Sequence, residues 1–195
     1  MVDAETARRE LDCVLERFRA ALEFGVAEAA RFFKGKRSDD DLFCHLVRYF
    51  AMTSLRKSSA ELQQRGAELL VDRLNNSGIE LRWRSYRIRV WRAPNGMLPP
   101  PGVSQRRREF YNQLSLDLAD EGEINVALLW DADEEGQLLS LWLVCPCSPM
   151  EPKSVHWRIP VYESTGAVAA TLPEEEEDLP IRLRRDIDEL AAGSE

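Results

Sequence analysis

An α+β fold is predicted for this chain: a helical N-terminal half packed on an antiparallel sheet of about four to five strands, followed by a short C-terminal helix. Three observations predict it. Apolar residues recur every three or four positions as far as about residue 74, then every second position from residue 81. After an acidic run near the end, the spacing returns to the helical period. At 195 residues, 44% hydrophobic and 31% charged, the chain is long enough to bury a helical layer against a sheet.

The first helix carries Leu11, Val14, Leu15, Phe18, Leu22, Val26, Ala29 and Phe33 on one stripe and stops at Lys34-Gly35-Lys36. Ser38 followed by Asp39, Asp40 and Asp41 reads as the N-cap and first turn of a second helix, with Leu42, Leu46, Val47 and Phe50 as its apolar face. Ser58 to Glu61 repeats the Ser-x-x-Glu capping pattern. It opens a third helix carrying Leu62, Leu69, Leu70 and Leu74 and ending at Asn75-Asn76-Ser77-Gly78.

Residues 81–92 alternate apolar and basic side chains, as a half-buried strand does. The parity flips at Ser85, because Leu81 and Trp83 are odd whereas Tyr86, Ile88 and Val90 are even, so a bulge or short turn is expected there. Pro94-Asn95-Gly96 is a turn, Pro99-Pro100-Pro101-Gly102 an extended connector, and Ser104 the cap of a short helix through Tyr111. Ile124–Asp131 and Gln137–Cys145 form a hairpin around a Gly-containing loop, and Val155–Ile159 a further strand. Glu174 to Asp178 is a solvated linker, and Leu183, Ile187 and Leu190 place an amphipathic tail helix over 180–192. Three regions result: helical 1–78, antiparallel β with one short helix 79–171, and linker plus tail helix 172–195.

Charge is distributed unevenly. Residues 1–80 carry net −1, residues 81–108 hold eight arginines and no acid, and residues 109–195 carry −15, for a total of −8. The acidic total argues against a protein that coats nucleic acid along its whole surface. Within the basic segment, Arg82, Arg84, Arg87, Arg89 and Arg92 interleave with Trp83, Tyr86 and Trp91, and Arg106, Arg107 and Arg108 follow at a helix start. Guanidinium groups pair with phosphate and carboxylate, aromatic rings stack on bases, and helix-start N–H groups add donors for an anion. The segment therefore reads as an anion-binding or nucleic-acid-binding face. The competing reading packs the aromatics on the helices and pairs the arginines with the acidic C-terminal third. A third reading has the run at 174–178 and the tail helix masking the basic face until a partner displaces them. The 22 arginines against 4 lysines are also what a G+C-rich coding sequence produces.

Other constellations are weaker. Asp131-Ala132-Asp133-Glu134-Glu135-Gly136 matches the opening of a calcium loop but has Trp142 where the bidentate carboxylate belongs, so it reads as a hairpin tip. Cys145, Cys147 and His156 offer three soft ligands where structural zinc takes four, so no metal and no cofactor are expected. Cys13 reads as part of the buried side of helix one, and His45 as a structural residue of helix two. No nucleophile elbow, phosphate-binding loop, zincin motif or dinucleotide fingerprint is present.

The functional expectation is a cytoplasmic regulatory or binding protein that offers its Arg/aromatic surface to RNA, DNA or an acidic protein partner. A protein partner would engage the tail helix 180–192. The alternative is a toxin-like ribonuclease in which His156 acts as acid or base with Arg158 and Tyr111, supported by Arg87 and Arg89. A second alternative is a structural oligomer subunit. No secretory signal is expected from the acidic Met1-Val2-Asp3-Ala4-Glu5 start, and no membrane span, since apolar runs such as Val126–Trp130 are too short.

Overall fold

A computed structural model describes residues 2–33, 39–70, 78–100, 102–111, 123–147 and 154–164. The predicted stop at 34–36, Ser38, Leu74, Asn75-Asn76-Ser77, the run at 174–178 and the tail helix 180–192 lie outside the described residues.

Helix α1 spans Ala4–Phe32. Asp3 caps it, accepting from the Thr6 N–H at 2.9 Å, and the predicted stripe from Leu11 to Ala29 is buried while Phe33 is half-buried. Helix α2 spans Asp40–Lys57, and Asp39 accepts from the Leu42 N–H at 2.9 Å as its cap. Asp40 and Asp41 in the first turn and Arg56 and Lys57 in the last complement the helix dipole. The buried face is Phe43, Val47, Ala51 and Leu55, one position round from the predicted one: Leu42 is 42% exposed, and Leu46 and Phe50 sit at the margin. His45 is exposed on α2, with Nδ1 3.2 Å from Arg48 Nη2. The two helices approach closely because Gly25 has no side chain; a Cβ there would come within 2.6 Å of the Val47 carbonyl oxygen.

The predicted third helix is cut short. Helix α3 covers only Ser59–Gln64, Gly66 turns the chain at φ +87, and Ala67–Leu69 forms strand β1. Tertiary pairing overrides the helical spacing of Leu62 and Leu69, because Leu69 pairs with Leu81 of strand β2.

The sheet also departs from expectation. It has six strands rather than four or five, and it is mixed rather than antiparallel. The order β1-β2-β3-β4-β5-β6 adds β2 Ile79–Trp83, β3 Tyr86–Arg92, β4 Ile124–Ala132, β5 Leu138–Pro146 and β6 Val155–Glu163. Strands β2 and β3 meet at a two-residue turn, Arg84-Ser85, with Trp83 opposite Tyr86 and Arg84 at φ +52. The parity flip therefore marks a hairpin. Strands β3 and β4 are parallel, with Tyr86 beside Ile124 and Arg92 beside Trp130, and parallel neighbours require a crossover. A 3₁₀ turn at Pro94–Gly96 and helix α4, Gln105–Tyr111, lie on that crossover.

Two apolar clusters follow from this layering. Helices α1 and α2 cover one face, where Phe18, Leu22, Val26, Val47 and Leu55 meet Leu81, Ile88, Val126, Trp130 and Leu143. On the opposite face, Phe110 and Tyr111 of α4 pack on Trp91, Ala127, Leu129, Trp142 and Val144. Helix α1 also clamps β6: the Trp157 Nε1–H donates to the Val2 carbonyl at 3.0 Å, and Arg8 Nη1 to that of Pro160 at 2.7 Å. Among the described residues no helix is long and apolar enough to cross a membrane.

The β4–β5 loop is tied to α1. Gly136 stands at φ +93, and a Cβ on it would lie 2.5 Å from that of Ala30. Gly136→Ala is therefore expected to lose about 2–4 kcal/mol, combining left-handed backbone strain with overpacking. Gly102→Ala, at φ +62 in open space, carries only the backbone part. Urea denaturation of the two variants checks the difference; equal losses would mean that the loop yields.

Candidate anion-binding face

Strand β3 is regular, so its alternation divides the arginine-rich segment between the two faces of the sheet. Tyr86, Ile88, Val90 and Arg92 point to the helices; Arg87, Arg89 and Trp91 point away, beside Glu80 and Arg82 of β2.

On the helical side, Trp83 is buried and donates from Nε1 to the Glu10 carbonyl at 3.3 Å, and the Tyr86 hydroxyl donates to Glu10 Oε2 at 2.6 Å. Arg92 reaches α2, with Nη1 3.3 Å from Asp40 Oδ2 and 3.5 Å from Cys44 Sγ, while its Nε lies 3.7 Å from Asp131 Oδ1. Arg84, at the turn, is exposed, its guanidinium 5.5 Å from the Trp83 ring.

The outer face is built around Glu80, which is fully buried. Arg87 Nε and Arg89 Nε each donate to one of its carboxylate oxygens at 2.6 Å. Burial alone would raise the Glu80 pKa, but the two guanidinium groups outweigh it and hold the carboxyl below its ordinary value. Burial lowers the pKa of Arg89 and Glu80 pulls the other way; the like charges of Arg87 and Arg107 add to the lowering. Arg82 Nε lies 2.7 Å from Glu123 Oε1 and its Nη1 3.7 Å from Glu68 Oε2.

Helix α4 supplies the aromatic support. The Arg89 guanidinium sits 4.8 Å from the Phe110 ring centre and that of Arg107 5.3 Å from Trp91, while Trp91 meets Phe110 edge-on at 5.1 Å. Arg108 is exposed and donates from Nε to the Gly102 carbonyl at 3.0 Å; Arg106 belongs to the same helix. The structure thus brings Arg82, Arg87, Arg89, Arg107 and Trp91 to one side and sends Arg92 and Trp83 to the other. Glu80, the residue that organises the group, was not singled out from the sequence.

The three residues of the ribonuclease alternative stand apart. Tyr111 is buried, its hydroxyl donates to the Pro99 carbonyl, and burial pushes its pKa up to about 12. Arg158 Nη1 donates to the Gly96 carbonyl at 3.1 Å, with its guanidinium 4.0 Å from the Trp142 ring. His156 is exposed on β6. Among the described residues no hydrogen bond joins these three.

Nor do the other constellations gather ligands. Cys145 is buried and its thiol pKa is pushed up to about 12, first by burial and then by Cys147, which is half-buried like Cys13. Asp133 Oδ1 accepts from the N–H groups of Glu135 at 3.0 Å and Gln137 at 2.7 Å, so the acidic 131–136 loop is closed by its own carboxylate. Among the described residues no group of three His, Cys, Asp or Glu side chains is placed to hold a metal.

No family model matches the chain, and no curated protein or solved structure is significantly similar to it.

Proposed function

We propose that this protein is a binding or regulatory protein that receives an acidic polypeptide segment on the outer face of β2 and β3. One observation carries the reading: Arg87 and Arg89 share the fully buried carboxylate Glu80, with Arg82 on the same face of β2 and Arg107 of α4 beside Trp91. Arg87 and Arg89 each donate to that carboxylate through Nε at 2.6 Å.

An acidic peptide suits this face better than RNA or DNA. Bases need a free aromatic ring to stack on, whereas Trp83 is buried and the half-buried Trp91 already meets Phe110, Tyr111 and the Arg107 guanidinium. The net charge of −8 also repels a long polyanion along its length, a penalty that a short segment seated on a local patch largely avoids.

The test is fluorescence anisotropy with a labelled Glu-rich decapeptide and, separately, a single-stranded RNA. The peptide is expected to bind in a salt-sensitive way. The Arg82→Gln/Arg107→Gln double variant is expected to weaken binding about tenfold, the ~1.4 kcal/mol that two partly exposed charge contacts supply. RNA binding in preference to the peptide would transfer the face to nucleic acid. RNA cleavage abolished by His156→Ala would replace the reading with catalysis.

A further inference from the structure

We infer that the first occupant of this face is the chain's own acidic run, Glu174 to Asp178, so that the protein regulates itself and an outside partner must displace that run. The inference rests on the reading of the outer face given above and adds its regulation.

Charge complementarity singles out the occupant. Residues 81–108 carry +8 with no internal acid, whereas residues 109–195 carry −15, and the longest block of consecutive carboxylates in the whole chain is this run of five. Within residues 109–195, Glu123 meets the outer-face Arg82 at 2.7 Å. The carboxylate at the centre, Glu80, comes from outside the acidic region.

Reach permits the contact. Strand β6 runs parallel to β3, because β4 is parallel to β3 while β5 and β6 each reverse direction. The chain therefore leaves the sheet at Ser164, at the same end as Arg92, three strand spacings from β3. Three spacings of ~4.8 Å, and a few residues back along β3 to Arg87, amount to roughly 20 Å. Glu174 lies ten positions beyond Ser164, and ten residues span at most about 33–36 Å. A tether of that length holds the run at about millimolar effective concentration, so an outside segment must compete with a local one.

The experiment uses the full chain with Glu174, Glu175, Glu176 and Glu177 replaced by Gln and Asp178 by Asn. Two readouts are taken. The first is affinity for the labelled Glu-rich decapeptide, with single-stranded RNA as a parallel probe. The second is the set of arginine Nε–H NMR signals. The neutralised chain is expected to bind the peptide at least about tenfold more tightly than the wild type. The Arg87 and Arg107 signals are expected to move while Arg92, on the helical side, stays in place. Equal peptide binding by both chains, with unmoved Arg87 and Arg107 signals, would overturn the self-masking and leave the binding face standing. Failure of both chains to bind the peptide would overturn the face and its masking together. A gain for RNA but not for the peptide would overturn the choice of an acidic partner.

Discussion

Replacing Glu80 by Gln is expected to destabilise the protein by about 3–5 kcal/mol, the magnitude found when one partner of a buried ion pair is removed. That is a large fraction of the 5–15 kcal/mol that holds a typical domain together. The cause is local. Glu80 is fully buried, Arg89 is 5% exposed, and each carboxylate oxygen accepts from a different arginine at 2.6 Å. An amide keeps one acceptor and turns an N–H₂ toward the other guanidinium, leaving donor against donor where the carboxylate charge stood. Chemical denaturation at neutral pH checks the size of the loss; a change below 1 kcal/mol would mean that water or another carboxylate replaces Glu80.

The same pair sets a pH dependence. Because the folded-state pKa of Glu80 lies below its ordinary value of 4.5, its stabilising effect is complete above that value and disappears as pH falls through the folded-state pKa. The wild type is therefore expected to lose stability on acidification below about pH 4, and Glu80→Gln, which cannot titrate there, to show a flatter curve over that window.

The second large effect is at Trp130, at the centre of the main core and 1% exposed. Trp130→Ala is expected to lose about 3–5 kcal/mol through the cavity it leaves between β4 and the helices. Trp130→Phe is expected to lose less than about 1.5 kcal/mol. It preserves most of the ring volume and removes an indole N–H that finds no hydrogen-bond partner among the described residues, so the lost packing is offset by relief of that buried donor. Urea midpoints with unchanged slopes would measure both; equal losses would show that the N–H itself stabilises the fold.

Much of the helical half was legible because its signals are local. The Leu11-to-Ala29 stripe needs only the 3.6-residue period, and the acids before α2 need only the logic of capping. The strands β2 and β3 and the turn between them were legible from the parity flip at Ser85. That flip also held the key to Glu80: with the turn at Arg84-Ser85, mirror pairing sets Arg82 against Arg87 and Glu80 against Arg89. The acid just ahead of the basic run thus becomes its counter-charge.

What escaped was long-range. Leu69 has helical spacing from Leu62 but is claimed by β2, a pairing no local period encodes. The parallel β3–β4 pair was missed although two signals pointed to it: a helix separates the two strands, and β4 runs apolar from Val126 to Trp130 without alternation, as a strand covered on both faces does. The division of the arginines between faces follows from strand parity, but whether a given one meets an acid depends on partners as distant as Asp40 and Glu123.

The parallel placement of β4 beside β3 also bears on how the chain emerges during synthesis. Helices α1 and α2 and strands β1 to β3 are complete by Arg92, yet the inner edge of β3 waits forty residues, until Ala132, for its neighbour. At roughly 5–20 residues per second that delay lasts about 2–8 s, during which an open hydrogen-bonding edge faces the crowded surroundings of the ribosome. Arg87, Arg89 and Arg92 punctuate the waiting strand with fixed charge, which discourages edge-to-edge association between nascent chains.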